Sequence, residues 1–220
     1  MLSFSEENHI KAIYHLSNHA NEVVNTNSIA EALSTKAASV SDMLKKLSQK
    51  DLIEHVKYQG VKLTEQGKTA ALGIIRKHRL WEVFLVQKLG FTWDEVHDIA
   101  EQLEHVNSPL LTDRLDKFLG YPRFDPHGDP IPDNKGNMML HNQVHLCDLG
   151  INKKGKVLGV KDGQSSFLQY LDKLVVKIGS MILVKEFIEF DSSMEIVIDN
   201  QKTTTISKET AKNIYVNEEN

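Results

Sequence analysis

The sequence predicts a mainly α chain: a winged helix-turn-helix, then a helical second domain, then a small SH3-like β-barrel at the C-terminus. Three observations predict it. Two short helical patterns joined by three or four residues follow a capped first helix and precede a β-leaning hairpin. A long helical stretch comes next. Composition then changes at a proline-rich segment, beyond which short strands alternate with turn residues.

Ser3 to Glu6 reads as a capping box that opens a helix with Ile10, Ile13, Tyr14 and Leu16 facing inward. A second box, Ser28 to Glu31, opens a short helix carrying Ile29, Ala30 and Leu33. After a break at Ser34–Lys36, Val40, Met43, Leu44 and Leu47 follow the i, i+3, i+4, i+7 rule of a docked helix. Leu52–Val56 and Val61–Leu63 flank Tyr58-Gln59-Gly60 as a hairpin. A long helix then runs to Leu89, closed by Gly90. The next helix opens at Thr92 or at Trp93-Asp94-Glu95 and is interrupted at Pro109, and a short one spans roughly Thr112–Leu119.

Gly120–Asn142 holds four of the five prolines and reads as a linker. Beyond it, Lys156–Val160, Met181–Phe190, Met194–Ile198 and Thr203–Ile206 are the expected strands, with one helical turn near Ser166–Asp172. The expected division is therefore residues 1–72, 73–142 and 143–220.

Totals narrow the function. The single cysteine, Cys147, excludes an intrachain disulfide framework and fits a reducing compartment. No apolar run approaches a membrane span and the N-terminus has no export signal, so a cytoplasmic protein is expected. The net charge of −4 hides a polarity. Lys36–Arg79 holds ten Lys/Arg against four Asp/Glu, and Thr92–Asp133 ten Asp/Glu against three Lys/Arg. A basic segment followed by an acidic one suits phosphates beside a site for cations, although solvated faces can also fluctuate this way.

His97, Glu101, Glu104 and His105 carry the strongest chemical signal. At about 100° per residue they fall at roughly 0°, 40°, −20° and 80°, on one helix face. Two imidazoles and two carboxylates with no cation among them suit a divalent metal ion. His78 and Glu82, i and i+4, form a second pair that is ordinary as surface decoration but adds an adjacent site if the helices pack together. His9, His15, His19, His55, His127, His141 and His145 lack partners at ligand spacing and read as incidental.

On the third helix, Ala38, Asp42 and Lys45 lie opposite the apolar stripe, with Ser39 and Lys46 on its flanks. Small residues let the helix approach base edges, and Asp42 can accept from a cytosine amino group. Lys36, Lys45, Lys46, Lys50, Lys57 and Lys62 can neutralise phosphates of a double-stranded DNA operator. No Gly-rich phosphate loop or hydrolase signature accompanies these residues, so nothing points to an enzyme.

The runs S-E-E-N-H-I-K-A-I-Y-H-L, R-K-H-R-L-W-E, H-D-I-A-E-Q-L-E-H-V and P-H-G-D-P-I-P together resemble the diphtheria-toxin-repressor-like family of iron- and manganese-dependent transcriptional regulators. The resemblance covers residues 1 to about 140 and extends more loosely to an SH3-like (FeoA-like) domain. It implies a homodimer, a helical metal-binding and dimerisation domain, and two metal positions. One would use Glu101, Glu104 and His105 with a first-helix side chain, here Asn8. The other would use His78, Glu82 and His97, supplemented from the C-terminal domain near Gly163 and Ser166, where Asp162 or Gln164 stands.

The iron-type branch has a cysteine at the position of Glu101; a hard carboxylate there shifts preference toward Mn²⁺, with Fe²⁺ still able to bind. Manganese-type members also carry an acid three residues after the first-helix ligand, and this chain has Lys11, which cannot ligate. The expected mechanism is metal-dependent fixing of two reading helices about one DNA turn, roughly 34 Å, apart, with metal-uptake genes as the regulon. Leu103, Val106, Leu110, Leu115 and Phe118 are candidates for the dimer seam or for intradomain core. The rivals are a metal-dependent enzyme or metal-storage module with a protein-docking winged helix, and a regulator sensing an organic effector.

Overall fold

The computed structural model describes residues 2–18, 20, 22–139, 142–161 and 163–219. The backbone divides into two compact units. The first comprises residues 1–78, 101–112 and 132–137; the second comprises 79–100, 113–131 and 138–220.

In the first unit, helix α1 (Phe4–Leu16) begins with the expected capping box, Ser3 accepting from the Glu6 amide while the Glu6 carboxylate accepts from that of Ser3. Ile10, Ile13 and Tyr14 are buried, but Leu16 is exposed. Helix α2 (Thr26–Ala32) starts earlier than the Ser28 box suggests. Asn25 is its N-cap, its side chain accepting from the Ser28 amide at 2.9 Å, so Ser28 sits inside the first turn. Helix α3 (Ala37–Gln49) buries Val40, Leu44 and Leu47, each burial being worth about 1.5–3 kcal/mol.

Strands β1 (Ile53–Val56) and β2 (Gly60–Leu63) form an antiparallel hairpin with Ile53 opposite Leu63. Val24 bridges to Val61 from the other side. Gly60 has φ +140°, and a Cβ there would meet the Val24 carbonyl oxygen at 2.1 Å, so only glycine fits. Helix α4 (Glu65–Leu89) follows and is continuous across the unit boundary.

Helix α5 (His97–Leu103) is shorter than expected. Glu104 and His105 lie in the turn after it, so the four-residue stripe is not carried by one helix. Ser108, preceding Pro109, is biased away from helix, and the ionic partners of Glu104 reward the turned backbone. Pro109 starts helix α6 (Pro109–Phe118), where its missing N–H costs nothing, and Ser108 caps it by accepting from Leu111 at 3.3 Å. Along α6 Leu115 is buried with Leu80, Val83 and Ile131, which makes it intradomain core, while Leu110, Leu111 and Phe118 are exposed.

The stretch expected to be a linker is packed. Arg76 donates to the Pro132 carbonyl within the first unit, and Arg79 donates to the Pro130 carbonyl within the second. Both guanidinium groups are buried, and so are Asp125, His127 and Ile131.

The rest of the second unit is a six-stranded antiparallel sheet of β3 (Val144–His145), β4 (Lys154–Val160), β5 (Met181–Ile188), β6 (Ser193–Ile198), β7 (Lys202–Ile206) and β8 (Ile214–Glu219). Their order is β3-β8-β4-β5-β6-β7, with β3 and β7 as edges, so the sheet is not closed into the expected barrel. Helix α7 (Ser165–Leu174) buries Leu168 and Leu171 against it, and α8 (Lys208–Lys212) precedes β8. The sequence does not signal β8, because it alternates only briefly before becoming polar; pairing with β4 and β3 on both sides makes it a strand.

Candidate metal centre

Helix α4 brings Glu82 into the interior of the second unit, where it is 2 % exposed. The chain returns to it at Asp125 and His127, and ligand atoms of Glu82, Asp125 and His127 all lie within 4.8 Å of one another. His127 Nδ1 is 3.6 Å from Glu82 Oε2. The loop is shaped by Asp125, whose Oδ1 accepts from the His127 and Asp129 amides at 2.8 and 3.0 Å. Gly128 (φ +90°) lies against the Leu158 carbonyl, where a Cβ would sit 2.0 Å away.

The far ring nitrogen of His127, Nε2, is 2.8 Å from the Trp93 carbonyl. A carbonyl only accepts, so Nε2 donates its proton to it, which turns Nδ1 toward Glu82. Arg79 Nε approaches Asp125 Oδ2 at 3.5 Å, while its Nη2 is shared with Asp129 at 3.3 Å. One guanidinium thus faces two carboxylates.

Electrostatics record the shortage of positive charge. Burial, reinforced by the charges of Glu82 and Asp129, pushes the Asp125 carboxyl up to about 7 against the pull of Arg79 and His127. Burial works the other way on His127, but the hydrogen bond and charge of Glu82, helped by Asp125 and the Trp93 carbonyl, raise it to about 9. These residues fit a divalent ion: three buried groups offer an imidazole nitrogen and carboxylate oxygens, a donor set suited to Mn²⁺ or Fe²⁺.

Both folded-state values lie above the ordinary 3.8 and 6.5, so the folded chain binds more protons than the unfolded one over those ranges. The stability from Asp125 is complete below about 4 and lost as pH rises toward 7; that from His127 is complete below about 6.5 and lost toward 9. An incoming cation must displace the same protons. The Kd for Mn²⁺ is therefore expected to fall between about pH 6 and pH 8, by roughly tenfold per unit for each proton released. Calorimetric titration at several pH values checks it; a flat profile would remove Asp125 and His127 from the ligand set.

Of the expected ligands, His78, Glu82 and His97 also offer atoms that lie within 4.8 Å of one another. Glu82 Oε1 lies 3.7 Å from Nδ1 of His97, a half-exposed side chain. His78 is one turn before Glu82 on α4, and its Nδ1 hydrogen-bonds to Glu104 Oε2 at 2.7 Å in the first unit. Asp162 lies outside the described residues, and Gln164 is exposed at the N-cap of α7.

In the first unit Glu104 is fully buried. Lys11 Nζ donates to both its oxygens, at 2.7 and 2.8 Å, and reaches Glu101 Oε1 at 3.3 Å. His105 pairs through Nδ1 with Glu7, which also faces Lys77 at 3.8 Å. Asn8 is half-buried on the same helix. Burial alone would raise the Glu104 carboxyl, but the hydrogen bond from His78 and the charge of Lys11 outweigh it and hold it below the usual carboxylate range. An ammonium thus occupies the centre of this set.

Sequence reasoning missed Asp125, His127, Glu7 and the ionic role of Lys11. The one available signal was D-P-H-G-D, an acid, an imidazole and an acid at alternate positions between prolines.

On helix α3, Ala38, Ser39, Asp42, Lys45 and Lys46 are exposed, as is Lys36 at its N-cap. Asp42 is bridged to Lys45 at 3.1 Å, both solvated. Lys50 differs: its ammonium bonds the buried Glu6 carboxylate at 2.7 Å, so it fastens α3 to α1. At the hairpin tip Lys57 lies over the ring of Tyr58, 5.0 Å from its centroid, and Lys62 is half-buried.

Comparison with known proteins places the chain in a family. The family model for the iron dependent repressor N-terminal DNA binding domain matches residues 1–61, and that for its metal binding and dimerisation domain matches 64–133. The FeoA domain model matches 144–218. A solved manganese-dependent transcriptional repressor, in complex with manganese, superposes with a TM-score of 0.85 at 34% identity, covering 96% of this chain and 98% of that one.

The chain belongs to the diphtheria-toxin-repressor-like family. The structure of the manganese regulator SloR matches this family member at TM-score 0.75 and 34% identity over 97% of this chain and 98% of that one. The iron-dependent repressor IdeR of Mycobacterium tuberculosis is 38% identical over 104 residues. That alignment spans about half of each protein, 47% of this chain and 45% of the relative. The family consists of transcriptional repressors, not enzymes. No described helix is long and apolar enough to cross a membrane.

Proposed function

We propose that this protein is a homodimeric repressor activated by Mn²⁺, with Fe²⁺ as an alternative ion, which binds an operator in cytoplasmic double-stranded DNA and shuts off metal uptake. The observation that carries the reading is the buried Glu82–Asp125–His127 set, rich in acceptors and short of cations, in a chain whose winged helix exposes the polar face of α3. Family membership supports the same reading, because its solved relatives are named as manganese-dependent repressors and regulators. The division at residues 1–72, 73–142 and 143–220 gives it a reading head, a sensing and dimerising segment, and an SH3-like domain.

Glu82, Asp125 and His127 form the core of the ion site, with His97 beside Glu82 and His78 one turn along the same helix. A bound ion supplies the positive charge this buried set lacks. The residues hold their donors in place beforehand: Asp125 by its loop amides, His127 by the Trp93 carbonyl, Glu82 by α4. The affinity that this set gains in the DNA-binding arrangement over other arrangements is the whole source of activation. Ala38, Ser39 and Asp42 face bases, Lys36, Lys45, Lys46, Lys57 and Lys62 face phosphates, and the exposed Leu110, Leu111 and Phe118 of α6 form the dimer seam.

A gel-shift titration tests this. Mn²⁺ is expected to raise operator affinity by about 5- to 150-fold, the range of an ordinary allosteric coupling. Asp42→Ala should change the preferred bases in a selection experiment while leaving the salt dependence intact, since it removes an acceptor and no phosphate contact. DNA retention indifferent to Mn²⁺ would sink the repressor reading; unaltered base preference would take Asp42 out of the reading set.

A further inference from the structure

We propose that Lys11 is the resident cation of the position formed by Glu101, Glu104 and His105, holding permanently the place that family resemblance assigns there to a metal ion. The expected metal count below rests on the metal-dependent reading above; the role of Lys11 does not.

Four observations converge. Lys11 follows Asn8 by three residues on α1, so both side chains leave the same face of that helix. Its ammonium contacts both oxygens of Glu104 and one of Glu101, the carboxylates a divalent ion would need. Glu104 has no exposure to solvent, and His78 also bonds it, at 2.7 Å. His105 gives its Nδ1 to a different anion, Glu7, while its Nε2 lies 3.7 Å from Glu104 Oε1. A divalent ion entering here must either expel a four-carbon ammonium from a buried carboxylate or sit beside it, and the repulsion between two cations in that setting is poorly screened.

The consequence concerns regulation. The tie between α1 and the segment after α5 is built into the polypeptide as an ion pair, so it forms without metal. Ion sensing then falls to the set around Glu82 alone, and each chain takes up one ion.

Equilibrium dialysis of the full-length protein against Mn²⁺, with metal analysis of the retained protein, tests this. The unmodified chain is expected to hold one Mn²⁺, which Glu82→Gln removes. Lys11→Met vacates the position and is expected to add a second ion, and Lys11→Met/Glu104→Gln to lose it again. Two ions in the unmodified chain, one of them lost in Glu104→Gln, would overturn the proposal, as would a folded Lys11→Met chain that still holds only one. No ion in the unmodified chain but one in Lys11→Met, dependent on Glu104, would support the role of Lys11 while refuting the site around Glu82. If Lys11→Met does not fold without metal, circular dichroism decides: folding restored by Mn²⁺ supports the proposal, and no rescue overturns it.

Discussion

Glu82→Gln is expected to lower Mn²⁺ affinity by more than about 100-fold while the protein stays folded. Even partners one layer outside a metal site cost about 10- to 100-fold when replaced, and Glu82 is the buried group common to His97 and His127. Glutamine keeps the volume and one acceptor oxygen but removes the charge, so the interior remains filled. Calorimetric titration gives the affinity, and a gel shift at saturating Mn²⁺ should show operator retention falling to the metal-free level. Wild-type Mn²⁺ binding by a folded Glu82→Gln chain would mean that the ion sits elsewhere.

The second large effect concerns stability. Glu104→Ala should destabilise the metal-free protein by about 3–5 kcal/mol, because it leaves the Lys11 ammonium without its main partner and strips His78 of its acceptor. By contrast, Asp42→Ala breaks only a solvated pair and should change stability by less than about 1 kcal/mol. Urea unfolding of the two variants measures both. A loss under about 1 kcal/mol for Glu104→Ala would show that the Lys11–Glu104 pair contributes little to the fold.

The winged helix was legible because its rules are local. Capping at Ser3, the apolar stripe of α3 and the hairpin around Gly60 each depend on residues close in sequence. Elsewhere locality misled. The Ser28–Glu31 pattern imitates a capping box, but Asn25 reaches the same amide first. The proline segment lacks periodicity and so reads as a linker, yet buried arginines of α4 bind its carbonyls. Strand β8 depends on partners far away in sequence.

The ligand groups divide in the same way. Residue types and helical spacing marked His78, Glu82, His97, Glu101, Glu104 and His105 as metal-seeking, and marked Lys11 as unable to ligate. His127 looked incidental because its partners are Glu82 and a proline-bound acid on another segment.

From one-dimensional order alone came the family, the winged helix and the kind of ion, since these depend on which side chains exist and how a helix spaces them. Which acceptors share a pocket, and which already own a positive charge, was settled only in three dimensions. Coulomb interaction and desolvation act through distance and burial, so Asp125 and His127 joined Glu82 while Lys11 came to rest on Glu104.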